Sequence, residues 1–252
     1  MKMNGNTILI TGGGSGIGRA LAEAFHALGN QVIITGRRQS ALAEVTAANP
    51  GMQAMALDMT DAEGIRAFAG EIVKTYPSLN AVLNNAGIMV MEEIGAGGDY
   101  LKIAEDTIAT NLLGPIRLSA ALLPHLRTGN DAAILNVSSG LAFVPMAMTP
   151  TYSATKAAIH SYTMGLRHQL KDTGTQVIEI VPPYVQTELM GAHQASDPNA
   201  MPLANFISEV MQILTDQPDV TEVVVERCKP LRYAAENGNL DAMFNGINAM
   251  RH

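Results

Sequence analysis

Tyr152 stands four residues before Lys156 in the stretch TYSATKAAIH, residues 151–160. Helical positions i and i+4 share a face, about 5–6 Å apart at Cβ, so the phenol and the ammonium point the same way. Ser153, Ala154, Thr155 and Ala157 add little bulk to bar a ligand. Two readings fit: a proton-transfer pair, or a core tyrosine beside a lysine reaching for water. A second chemical signal is TILITGGGSGIGRALAEAF, which joins an apolar run to a helical pattern through glycines. That context is the one a phosphate-binding loop requires. Gly12 suits a tight turn, Gly16 a close backbone approach to a pyrophosphate, and Gly18 close packing of the helix on the sheet. The free N–H groups and positive helix end at Ile17 then face the anion, with Ser15 in the same loop. The alternative is a plain flexible loop.

Several elements must hold these residues. Short, nearly unbroken apolar runs lie at 6–11, 31–36, 52–58, 81–85, 132–139 and 176–182. Unbroken rather than alternating runs suit strands covered on both faces. Between them, 17–29, 40–49, 61–76, 99–127 and 151–174 carry helical periodicity. Six strands alternating with helices predict an α/β fold: a Rossmann-like, doubly wound parallel sheet with right-handed crossovers and helices on both faces. No linker or repeat interrupts the pattern, so a single domain over 1–252 is expected, with residues 190–252 as a substrate lid and a helical or mixed C-terminal region.

Bulk composition narrows the classes. The 252 residues are 47% hydrophobic and 15% charged with a net charge of −7, a globular composition that disfavours a nucleic-acid partner. The single cysteine, Cys228, cannot form an internal disulfide, and the N-terminal apolar run is too short for a signal peptide, so a cytoplasmic protein without a membrane span is expected. No CxxC or HExxH pattern suggests a metal.

The spacing TGxxxGxG, Thr11 to Gly18, departs from the three-glycine GxGxxG fingerprint and is the form of the short-chain dehydrogenases/reductases. The chain resembles that family further in NNAG at 84–87 and YxxxK at 152–156. It also matches in Ser139, 13 residues before Tyr152, and in Asn111 within the preceding long helix. The likeness runs over roughly residues 5–190. Within the family the chain resembles a bacterial subgroup associated with D-alanylation of teichoic acids.

The resemblance implies an NAD(P)-dependent oxidoreductase acting on a carbonyl or secondary alcohol of a small, apolar substrate. Tyr152 is then the proton donor, or the base in oxidation. As a base near neutrality it needs its pKa lowered by about 3 units, roughly 4 kcal/mol, part of which Lys156 would supply. Lys156 is implied to bind the nicotinamide ribose, and Ser139 the substrate oxygen. Ser139 as a loop-capping hydroxyl is the alternative. Pro115 offers no N–H to the Asn111 carbonyl four residues earlier; the family places a proton-relaying water there, and a polar residue beside a proline kink is the other reading. Asn85, Ala86 and Gly87 are implied to face the adenosine, with Asn84 supporting the sheet. Asp58 and Met59 end the third strand; Asp58 either bonds the adenine or caps the next helix. After the sixth strand, Pro182, Val185 and Thr187 match the family's nicotinamide contacts, while Pro183 replaces its glycine. At the second strand's end, Gly36 occupies the place of an acid that would select NAD, and Arg37 and Arg38 suit a 2′-phosphate, so NADP is preferred over NAD.

The family's glycine-rich seventh strand has no counterpart in ERCKPLRYAAENGNLDAMF, so a seventh strand is left open. A homodimer through helices 99–127 and 151–174 is expected, with a tetramer as the alternative. Phe143, Met146, Met148 and Met190 suggest an apolar cleft. His193 is either a substrate contact or merely exposed, and His160 is expected to face a neighbouring helix. Two rival functions remain. Ser153–Lys156 reads S-x-x-K, as in a serine esterase, though SDN and KTG are absent. A non-catalytic nucleotide-binding sensor is the third.

Overall fold

The computed structural model describes residues 1–96, 100–129 and 131–249. Residue 99, the expected start of the long helix, and residues 250–252 of the expected lid region lie outside them. Seven parallel strands form one sheet in the order β3-β2-β1-β4-β5-β6-β7. They are β1 (Thr7–Thr11), β2 (Gln31–Gly36), β3 (Gln53–Ala56), β4 (Leu79–Asn84), β5 (Ala132–Val137), β6 (Thr175–Val181) and β7 (Glu222–Val224). The helices are α1 (Gly16–Ala27), α2 (Gln39–Ala48), α3 (Ala62–Thr75), α4 (Tyr100–Ile108), α5 (Gly114–Leu126), α6 (Pro150–Leu170), α7 (Ala192–Ala195), α8 (Leu203–Asp216), α9 (Lys229–Arg232) and α10 (Leu240–Ala249).

Alternate strand residues feed two cores. Ile8, Ile10, Leu83 and Ile180 pack with Phe25 of α1 and Phe206 of α8. Leu9, Val82, Ile134 and Val177 pack with Ile72 of α3 and Leu122 of α5 on the other face. Both faces are therefore dry, which is why these strands read as unbroken apolar runs. The edge strand β3 is largely exposed and shorter than its run suggests. The seventh strand is real but brief. It lies in TEVVV and pairs with β6 through Glu179↔Glu222, Ile180↔Val223 and Val181↔Val224.

Strand order reverses between β1 and β4, so their C-terminal ends diverge into a crevice, the usual ligand position in such sheets. The expected helix over 99–127 is two helices joined by a π-helical segment, Ala109–Leu113, in which the Gly114 N–H reaches the Ala109 carbonyl. Pro115 has no N–H to give, and the chain adjusts its hydrogen-bond register just before it.

Candidate active site

The glycine loop leaves β1 and enters α1. Gly12 and Gly16 hold φ of +69° and +54°, a left-handed region that favours glycine. A Cβ on Gly12 would lie 2.9 Å from the Ala86 Cα. Gly18 serves the loop more than the sheet: a Cβ there would lie 2.3 Å from Asn85 Nδ2 and 2.4 Å from the Gly12 carbonyl. Thr11, which motif spacing did not single out as functional, ties the two loops together. Its hydroxyl accepts from the Asn85 and Ala86 N–H groups, and Asn85 Nδ2 donates to the Thr11 carbonyl at 3.0 Å. Ser15 begins α1 without a side-chain cap, and the first turn carries no acid. Its N–H groups are thus left to a ligand.

A cavity of about 890 Å³ runs along the strand ends. It is lined by Gly12, Ser15, Gly16, Ile17, Arg37, Arg38, Asp58, Met59, Asn85, Ala86, Gly87, Ser139, Tyr152, Lys156, Pro182, Val185 and Thr187. Of the expected site residues, only Gly18 and Asn111 do not line it. At one end, Arg38 donates to the Ser15 hydroxyl at 3.2 Å, bringing a cation against the glycine loop. Asp58 does not cap a helix: its carboxylate accepts from the N–H and hydroxyl of Thr60, which holds its pKa below the usual range, with Arg37 adding to the effect. Asp61 caps α3 instead, accepting from the Gly64 N–H. A dinucleotide fits this lining: uncapped N–H donors, a glycine cradle that a Cβ would fill, and two arginines at the far end.

At the other end lie Tyr152 and Lys156, both buried. Lys156 Nζ donates to the Val137 carbonyl at 2.8 Å and sits 5.5 Å from the Tyr152 ring centroid. Ser139 reaches the Tyr152 hydroxyl and also accepts from the Leu141 N–H, so it caps the following turn while facing the phenol. The expected lowering of the tyrosine pKa is not found. Burial pushes the phenol up to about 12, opposed only by Ser139. Burial likewise brings Lys156 down to about 8, with the Glu179 carboxylate opposing. Desolvation penalises the charged form of each group, and it is the leading cause of both shifts.

Asn111 lies behind the cavity wall, where its amide clamps the loop after β4. It accepts from the Ile88 N–H at 2.9 Å and donates to the Ile88 carbonyl at 2.8 Å. Asn84 supports the sheet, donating to Ser119 on α5 and Asn136 on β5. Ser153, the serine of S-x-x-K, is buried with its hydroxyl on the Met146 N–H. His160 faces the sheet and not a helix: its ring meets Glu179 of β6 at 2.8 Å.

The substrate end of the cavity takes Met146, Met190 and the exposed His193. Phe143 and Met148 do not line it; Phe143 packs edge-on against His160. Four contributors were not legible in the sequence. Gln194 donates to the Val185 carbonyl and the Thr187 hydroxyl, fixing that loop. Ile247 of α10 joins the wall, and Asn248 ties α10 to the loop before α6 through Ala147 and Pro145. Glu92, buried in the loop after β4, accepts from the Thr151 N–H and hydroxyl at 2.9 and 2.7 Å. It caps the helix that carries Tyr152 from a distance, and an acid at a helix N-terminus is stabilising. Glu92→Ala is expected to lower unfolding free energy by about 2 kcal/mol, read as a shift in denaturant midpoint, whereas the exposed Glu63→Ala should change it little.

The profile of the short chain dehydrogenase family matches residues 6–198. Over 256 aligned residues the chain is 40% identical to the uncharacterized oxidoreductase DltE of Bacillus subtilis (strain 168), covering all of both chains. A short-chain dehydrogenase from Streptomyces avermitilis is 26% identical, with a TM-score of 0.80 over 96% of each chain. One from Burkholderia cenocepacia J2315, solved with NADP, shares the fold at a TM-score of 0.81 and 24% identity over 97% of this chain and 99% of that one. Among the described residues no helix is long and apolar enough to cross a membrane.

Proposed function

The chain belongs to the short chain dehydrogenase family, and we propose that it moves a hydride between NADP, in preference to NAD, and the carbonyl or secondary alcohol carbon of a small, largely apolar substrate. The observation that carries this reading is the convergence of Ser139, Tyr152 and Lys156 on the cavity that also takes in the glycine loop. Residues from Gly12 to Ile17 would hold the pyrophosphate, Arg37 and Arg38 the 2′-phosphate, Asp58 to Met59 and Asn85 to Gly87 the adenosine, and Lys156 with Pro182, Val185 and Thr187 the nicotinamide end. When bound, the dinucleotide supplies or accepts the hydride.

The chain's own residues handle the proton. Ser139 holds the substrate oxygen beside the Tyr152 hydroxyl. Tyr152, protonated at neutral pH because burial raises its pKa, donates to that oxygen, which makes carbonyl reduction the better-prepared direction. Lys156, a cation below about pH 8, stabilises the phenolate left behind. Asn111 keeps the loop at Ile88 in place and, in this reading, serves proton return to Lys156. One domain carries both sites, with segments from 190 onward closing over the substrate. The free, buried Cys228 fits a reducing cytoplasm. Leu101, Ile108 and Met164, exposed on α4 and α6, fit a homodimer face, which sedimentation would test.

The experiment follows reduced-nicotinamide absorbance with ketones, aldehydes and alcohols, beside an ester panel run without cofactor. Carbonyl-dependent NADPH oxidation supports the reading; ester cleavage with no nicotinamide affinity rejects it. Arg38→Ala is expected to weaken NADPH about tenfold or more while leaving NADH nearly unchanged, as read by fluorescence titration.

A further inference from the structure

Four polar residues form one row across the sheet. Asn84 pairs in register with Asn136, Asn136 with Glu179, and Glu179 with Glu222. Alternation sends all four side chains to the face covered by α5 and α6, where the neighbouring strand positions are apolar. Asn84 Nδ2 donates to Ser119 and to Asn136, leaving Asn84 Oδ1 without a partner among the described residues, and Asn136 donates to Thr163 of α6. The glutamates are not equivalent. Arg232 of α9 holds both oxygens of Glu222, at 2.7 and 3.2 Å. Glu179 is fully buried; one oxygen meets His160 and the other, Oε1, has no hydrogen-bond partner among the described residues.

A carboxylate in such a place is costly unless cations compensate it. Lys156 and His160 are four residues apart on one face of α6. Lys156 Nζ ends on the Val137 carbonyl, one residue along β5 from Asn136, the register partner of Glu179. His160, Glu179 and Glu222 bring ligand-type atoms within 4.8 Å of one another, but both Glu222 oxygens are already held by the Arg232 guanidinium.

We propose that Glu179 is the counter-ion shared by Lys156 and His160, a positioning residue that keeps the Lys156 ammonium charged beside Tyr152 and makes His160 its competitor. This rests on the reading of Lys156 as the partner of Tyr152. When His160 is neutral, the Glu179 charge serves Lys156. When His160 is protonated, the same charge is divided between two cations, and the lysine gives up its proton more readily. Protonation of His160 thus weakens the hold on the Lys156 proton through a residue that touches neither substrate nor cofactor. The other groups facing the cluster are Glu222 on β7, Arg232 on α9 with its exposed partner Glu236, Phe143, whose ring edge meets His160, and Arg167 on α6, bound to the Val177 and Thr221 carbonyls. Glu179 and Glu222 hold the His160 pKa up, while burial and Arg232 oppose them.

The test needs neither cofactor nor substrate. The imidazole signal of His160, assigned by its loss in His160→Gln, is titrated by NMR in the full chain. Lys156→Met removes the rival cation, so the His160 midpoint is expected to rise by about half a unit or more; Glu179→Gln removes the anion, so it is expected to fall by about one unit. A midpoint unmoved by Lys156→Met overturns the proposal, whether or not Glu179→Gln folds. The same null result, in a wild-type protein that reduces carbonyls with NADPH, leaves the catalytic reading standing and removes only the shared counter-ion. Reciprocal coupling requires both shifts to have these signs.

Discussion

Tyr152→Phe is expected to lower NADPH-dependent carbonyl reduction by at least about a thousandfold while NADPH affinity changes less than about threefold. The phenol is buried, faces Ser139 and has its pKa raised to about 12. It is therefore a proton donor held in its protonated form through the neutral range, in line with a reductive role. Removing one hydroxyl leaves the ring packing intact, so a stability change of only about 1 kcal/mol should accompany the loss. The pH dependence separates the two members of the pair. Tyrosine stays protonated well above neutrality, so loss of activity on the alkaline side, near pH 8, should report Lys156, whose folded pKa is the lower. Steady-state kinetics of the wild type across pH 6–10, with a carbonyl from the panel, check this.

Gly18→Ala should cost about 2–4 kcal/mol of stability and at least about a hundredfold in dinucleotide affinity. The added methyl would meet Asn85 Nδ2 at 2.3 Å and the Gly12 carbonyl at 2.4 Å. Asn85 is not a free side chain that can swing away, since its amide is bonded to the Thr11 carbonyl and within 3.4 Å of that of Gly12. Relief thus requires the glycine loop to open. Gly16→Ala makes a contrast: its Cβ would meet nothing nearer than Thr187 at 3.5 Å, and only the positive φ opposes it. Denaturant unfolding and fluorescence titration of both variants distinguish a steric block from backbone strain.

The motifs carried the site because its chemistry lies at strand ends, where function fixes residue type and spacing. β1, β2, β4, β5 and β6 were legible because both their faces are dry. β7 was not: three residues give no periodicity, and TEVVVERC passes from strand to turn within eight. The π-helical segment before Pro115 was beyond reach, because a missing N–H predicts an unmet carbonyl but not how the register adjusts. The row Asn84, Asn136, Glu179, Glu222 was hidden for another reason. Its members lie 43 to 52 residues apart in sequence, and only the strand register brings them together. His160 was expected against a helix since helical periodicity gives a face but not its neighbour. Lys156 was expected to acidify Tyr152 together with a bound oxidised nicotinamide; in the protein alone, burial of the phenol leads the shift and raises it.

A crystal structure of the wild-type chain with NADP bound tests the central claim most directly. The account predicts the pyrophosphate on the N–H groups that begin α1, the 2′-phosphate at Arg37 and Arg38, and the nicotinamide beside the Tyr152 hydroxyl and Lys156. A dinucleotide bound elsewhere, or seated with its nicotinamide turned away from Tyr152, would contradict it.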